Sequence, residues 1–171
     1  MSTPPYAGDR YAKLAPRDLV ITLRSLARRV KETLGPVRSD PERFARRNEI
    51  VADGESLTSH VAALARHMNL LESEISRITT SGEVVINGAA LSLEHPAPAV
   101  DRPVGLDAAE SSLVTSAEAI GGLLDGCSSE QWTFRAPATN GVKVTLLDLA
   151  QHAARIGAEG LRSTAAIADR L

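Results

Sequence analysis

Apolar residues recur along much of the chain at alternating steps of four and three, the period of a helix with one buried face. The clearest case is "SLTSHVAALARHMNLLESEISRI". There Leu57, Val61, Leu64, Met68, Leu71, Ile75 and Ile78 form a continuous seam, and Ser56 stands where an N-cap belongs. An earlier segment, "PRDLVITLRSLARRVKETLG", places Leu19, Leu23, Leu26 and Val30 on one face. Pro16 suits its first turn, and Gly35-Pro36 predicts its end. A third, "LDAAESSLVTSAEAIGGLLDG", turns Leu106, Leu113, Ile120 and Leu123 or Leu124 inward, with Gly121-Gly122 weakening its last turn. The fourth starts at Thr145, which has capping-box spacing to Asp148, and can run almost to Leu171.

The connections are uneven. Residues 37–55 contain "RSDPERFARRNEI", which predicts a short helix. In residues 79–104, "EVVINGAALSL" carries a β-rich run followed by Asn87-Gly88, so a small hairpin or irregular excursion is expected between helices two and three. "HPAPAVDRP" reads as extended, and "WTFRAPATNGVKV" leads into helix four. Four helices with long connections predict an all-α, four-helix bundle over residues 1–171 as one domain, with 1–13 a flexible N-terminal segment.

Composition supports this picture. Aromatic residues are only 3% of the chain, so aliphatic side chains must fill the core. A net charge of −2 argues against nucleic acid as a partner. No apolar run is long enough for a membrane span, and "MSTPPYAGDR" lacks the apolar core of a secretory signal, so a cytoplasmic protein is expected. The one cysteine, Cys127, allows no intrachain disulfide, and without a local base it reads as structural. Arg38, Arg43, Arg46 and Arg47 could meet a phosphate. Yet Glu42 and Glu49 interleave them, and all basic residues but Lys13, Lys31 and Lys143 are Arg, so a solvated connection is the simpler reading.

Two stretches carry a family resemblance: "GLLDGCSSEQWTFRAPATNGVKVTLLDLAQHAARIGAEGLRS", with a Trp after helix three and then "VTLLDLAQHAA", and "SLTSHVAALARHM" on helix two. With the helix order, they resemble the DinB-like four-helix bundles, which include thiol-dependent transferases and isomerases. The resemblance covers roughly residues 56–171. It implies a divalent metal, such as zinc or nickel, held by one His from helix two and a His-x-x-x-His pair from helix four. Such a metal needs about three protein ligands and an open position.

This chain departs from that pattern. The helix-four pair falls on Arg155 and Glu159 in one register, or on Ile156 and Gly160 in the other. The helix-two ligand falls on His60 or Ala63. Arg has no acceptor atom, and Ile and Gly offer no side-chain donor. The set that survives is His60, His152 and Glu159. By helical geometry His152, Arg155 and Glu159 lie opposite the small-residue stripe Ala150, Ala153, Ala154, Gly157 and Leu161, as a solvated face with an Arg155–Glu159 pair. His60 and His67 sit beside the seam, about 10.5 Å apart along the axis, too far to share a metal, and are expected to bond carbonyls or water. Ala150, Ala154, Gly157 and Trp132 are the candidate cleft-lining residues. The stripe otherwise serves close helix packing, and Trp132 serves as a plug over the bundle end.

The expected function is a DinB-like bundle with a degenerate metal site, acting as a metal-free homologue that binds a small molecule or a partner. A divalent-metal-dependent thiol transferase or hydrolase using His60 is one alternative, and a structural homodimer is another.

Overall fold

The computed structural model describes residues 10–51, 54–81, 84–97 and 104–171. Helix accounts for 72% of it. Four long helices dominate: α1 (Pro16–Ser39), α3 (Leu57–Thr80), α4 (Leu106–Asp125) and α6 (Leu146–Ala168). Short helices α2 (Pro41–Arg46) and α5 (Ser129–Thr133) lie in the connections. The protein is therefore mostly α-helical. Among the described residues, no helix is long and apolar enough to cross a membrane. Of the N-terminal segment 1–13, residues 1–9 lie outside the described residues. Tyr11–Lys13 form a 3-10 turn packed on α6, with Tyr11 buried rather than loose.

Helices α4 and α6 each lie against both α1 and α3. The seam residues read from the sequence are the ones buried between them. On α3, Leu57 through Ile78 point inward, and on α1, Leu19, Leu23, Leu26 and Val30 do the same. The capping signals form as well. Ser56 and Ser59 make a reciprocal box at the start of α3, and Thr145 and Asp148 make one at the start of α6.

Two helix interruptions expected from the sequence do not occur where the glycines stand. Helix α1 does not stop at Gly35-Pro36 but continues to Ser39. The buried Leu34 and Val37 extend its apolar face past the proline, and that burial outweighs one missing backbone hydrogen bond. The chain turns at Asp40, whose side chain accepts from the backbone N–H groups of Glu42 and Arg43 to start α2. Gly121-Gly122 does not fray α4. A Cβ at Gly121 would stand 2.7 Å from Arg24 Cγ, so this glycine permits the close approach of α1. Of the two leucines that follow, Leu124 is the buried one.

The hairpin expected at Asn87-Gly88 does not form. Asn87 instead accepts from the Ala89 N–H and opens a 3-10 turn, Gly88–Leu91. The small antiparallel pair lies later, between β1 (Arg135–Pro137) and β2 (Lys143–Thr145), with Gly141 at φ +83° in the turn. Ile86 joins that pair from the side through a parallel bridge to Ala138. The Gly88 N–H donates to Thr139 Oγ1 at 2.8 Å. Contacts distant in sequence thus took the strand partners that a local hairpin would have used.

Candidate functional site

Every histidine of the chain lies in one cluster. His60 and His67 come from α3, His152 from the second turn of α6, and His95 from the connection after the 3-10 turn. Ring centroids are 6.0 Å apart for His60 and His95, 5.4 Å for His67 and His95, and 5.8 Å for His67 and His152. His95 thus bridges His60 and His67, the two rings that helical spacing kept apart. Nothing in the sequence marked His95, which reads only as part of a Pro-rich extended stretch. The fact that the chain has only four histidines was the one usable signal.

The hydrogen bonds fix how most of these rings are presented. His67 Nε2–H donates to the Ala90 carbonyl at 3.2 Å, and His152 Nε2–H donates to the Ser92 carbonyl at 2.9 Å. Neutral His67 therefore presents Nδ1 as an acceptor, and His95 Nδ1–H donates to it at 3.1 Å. His60 is held differently. Its Nδ1 lies 2.8 Å from Glu55 Oε2, and its Nε2 lies 3.2 Å from the Gly160 carbonyl, so both nitrogens face oxygen acceptors.

Burial sets the charge state. Desolvation lowers His67 below the ordinary imidazole value, against a smaller opposing effect of its bond to Ala90. Desolvation first, and then the neighbouring His67 and His60, hold His95 down to about 4. His152 is also held down to about 4, by desolvation and then by His67. At neutral pH these three rings are uncharged.

His152 is fully buried, contrary to the solvated face expected for it. The segment carrying Ser92 covers that side of α6, which a helical wheel drawn on α6 alone could not show. Arg155 and Glu159 do form the expected i,i+4 pair, at 3.3 Å, on the more exposed part of that face.

His60, His152 and Glu159 do not converge as a ligand set. The Glu159 carboxylate is engaged by Arg155, a permanent cation, and both His60 nitrogens are taken. The other register fares no better. Ile156 is buried, and a Cβ at Gly160 would stand 2.5 Å from Leu64 Cδ1. Among the described residues, no group of three or more His, Cys, Asp or Glu side chains is placed to hold a metal ion. As placed among the described residues, the expected set of His60, His152 and Glu159 does not fit the divalent metal that the resemblance implied.

The small-residue stripe is packed tightly. Ala150 and Ala154 are fully buried, and a Cβ at Gly157 would stand 2.5 Å from Leu26 Cδ1. Trp132, on α5, is nearly buried. Its remaining surface borders a groove of about 390 Å³ with Pro16, Val20, Ile21 and Leu124, which Ala150, Ala154 and Gly157 do not reach.

The other candidates have structural occupations. Arg43 donates to the Ala168 carbonyl at 2.5 Å, and Arg46 donates to the Leu171 carbonyl. These guanidinium groups tie α2 to the C-terminal end of α6, where cations are favoured, so the cluster is not simply solvated. Arg38 pairs with Asp107 and Glu110 on α4. Burial pushes the Cys127 thiol up, and its Sγ–H donates to the Leu123 carbonyl at 3.2 Å, a poor setting for a nucleophile. Comparison of the chain with protein-family models, with curated proteins and with solved structures finds no match in any of the three.

Proposed function

We propose that this chain is a DinB-like four-helix bundle whose metal centre has been replaced by packed side chains. In this reading it binds a small molecule or a partner and does not carry out metal-dependent thiol transfer. The observation that carries the reading is the contact between Gly160 and Leu64. In one family register Gly160 is a ligand position, and leucine methyl groups fill the space where its side chain would stand. In the other register the pair is Arg155 and Glu159, which neutralise each other. Either way, helix four keeps the family's cap and length while offering no ligand pair.

The binding role comes from the resemblance, and the α3–α6 seam beneath residues 84–97 is where it would act. The imidazoles of His67, His95 and His152 there are neutral and desolvated, suited to hydrogen-bond a polar ligand in a low-dielectric setting. Elemental analysis of protein purified without a histidine tag tests the reading. Zinc and nickel are expected far below one equivalent. About one equivalent of either, lost in His60→Ala, would restore the metal-dependent alternative. A light-scattering mass of two chains would favour the homodimer.

A further inference from the structure

A concavity lies away from the histidine cluster, between α1 and the corner where α4 gives way to α5. It measures about 390 Å³, and small-molecule sites run from roughly 300 to 1,000 Å³. Its apolar walls are Pro16, Val20 and Ile21 of α1, Leu124 of α4 and Trp132 of α5. No residue of α3 or α6 lines it, so it goes beyond the proposed function and does not rest on it.

Local sequence explains the walls. Residues 17, 20, 21 and 24 recur at helical spacing and share one face of α1. Gly121 lets α1 close on α4 next to Arg24. Ser128 and Gln131 then make a reciprocal capping box that starts α5 soon after α4 ends, which fixes the turn carrying Trp132. The walls stand on helices, so little ordering is needed to receive a ligand.

The polar groups select its chemistry. Arg17, Arg24 and Asp125 are the charged residues of the lining. Arg24 donates to Asp125 at 2.9 Å, and the two charges cancel. Arg17 has no hydrogen bond or ion pair among the described residues. Asp18 is turned about 100° away around α1, and Glu130 borders a different groove with Gln131 and Phe134. Trp132 is only 8% exposed, yet its indole N–H has no acceptor among the described residues. The Cys127 thiol is already engaged with the Leu123 carbonyl. Arg17 and the indole can only donate, so the ligand must bring acceptor atoms and, for Arg17, a negative charge. Ile21, left 59% exposed beside that cation, calls for an apolar body as well. We propose that this groove binds a small organic carboxylate, its apolar body against Val20, Ile21 and Trp132 and its carboxylate accepting from Arg17.

Trp132 is the only tryptophan of the chain, so its fluorescence and its indole N–H resonance report on this groove alone. Titration of the full chain with 4-phenylbutyrate, and separately with the neutral 4-phenylbutyramide, tests the proposal. The acid should shift both signals saturably and bind about tenfold more tightly than the amide. In Arg17→Gln, a change at an exposed side chain, that preference should fall to about onefold while amide binding is kept. Equal binding of acid and amide, an undiminished preference in Arg17→Gln, or an indole resonance that never moves would each overturn the site. So would a sedimentation mass that doubles with concentration while the indole signal shifts without added carboxylate, which would give the groove to a second copy of the chain.

Discussion

Gly160 of α6 sits directly against Leu64 of α3: a Cβ at 160 would stand 2.5 and 2.6 Å from the two leucine methyl carbons. Leu64 is fully buried, so it has little room to retreat. Glycine inside a helix costs about 1 kcal/mol relative to alanine, and here the close approach of α3 offsets that cost.

Gly160→Ala should therefore destabilise the protein by about 1 kcal/mol. The helix-propensity gain of roughly 1 kcal/mol is set against an overpacking cost of about 1–3 kcal/mol. Urea denaturation measures the difference. In a Leu64→Ala background the same change should become stabilising, because the obstructing methyl groups are gone. Equal effects in the two backgrounds would mean that the two residues do not compete for the space.

The buried imidazoles make stability depend on pH. His95 and His152 are held at about 4 in the folded protein, below the ordinary 6.5. Between those values the unfolded chain binds more protons, so their contribution is complete above about pH 6.5 and is lost as pH falls towards 4. For His152, which is fully buried, a shift of that size corresponds to about 3 kcal/mol. The unfolding free energy of His152→Asn should consequently vary less steeply between pH 6.5 and 5 than that of the parent. Slopes are the quantity to compare, since the substitution also alters packing. Parallel slopes would show that His152 is not held neutral by the fold.

Glu74 is a buried carboxylate with two structural partners. Its Oε2 accepts the Asn87 N–H at 3.2 Å, and Arg77 pairs with it at 2.9 Å. Glu74→Ala leaves the Asn87 N–H without that acceptor and should cost about 1–3 kcal/mol. Exchange should increase at residues 86–91. Glu74→Gln keeps an acceptor oxygen and should lose clearly less. If the two variants are equally stable, the carboxylate does not anchor the connection.

The candidate site was legible only in part. His60 and His67 do lie beside the seam, which follows from the helical period, but the carbonyls they bond, those of Gly160 and Ala90, come from other segments of the chain. His152 was placed on the wrong side of the solvent boundary, since its cover comes from Ser92, 60 residues away in the chain. His95 carried no local pattern at all. The hairpin was misplaced for a related reason. Asn87-Gly88 is a turn signal, but Pro137 and Thr139 took the hydrogen bonds of Ile86.

The sequence by itself determined the long helices, their buried faces and the caps at Ser56 and Thr145. These depend on 3.6-residue periodicity and on hydrogen bonds within one turn, which any reader of the chain can count. It also showed that neither register expected from the resemblance, Arg155 with Glu159 or Ile156 with Gly160, pairs two metal-ligating side chains, because Arg, Ile and Gly offer no lone pair from the side chain. Only the tertiary structure decided that four histidines spread over three segments meet, that Gly157 and Gly160 serve close packing, and that α1 runs through Pro36. Those outcomes rest on burial and on contacts between distant segments. Desolvation and neighbouring rings then give the histidines a character that none of them has alone.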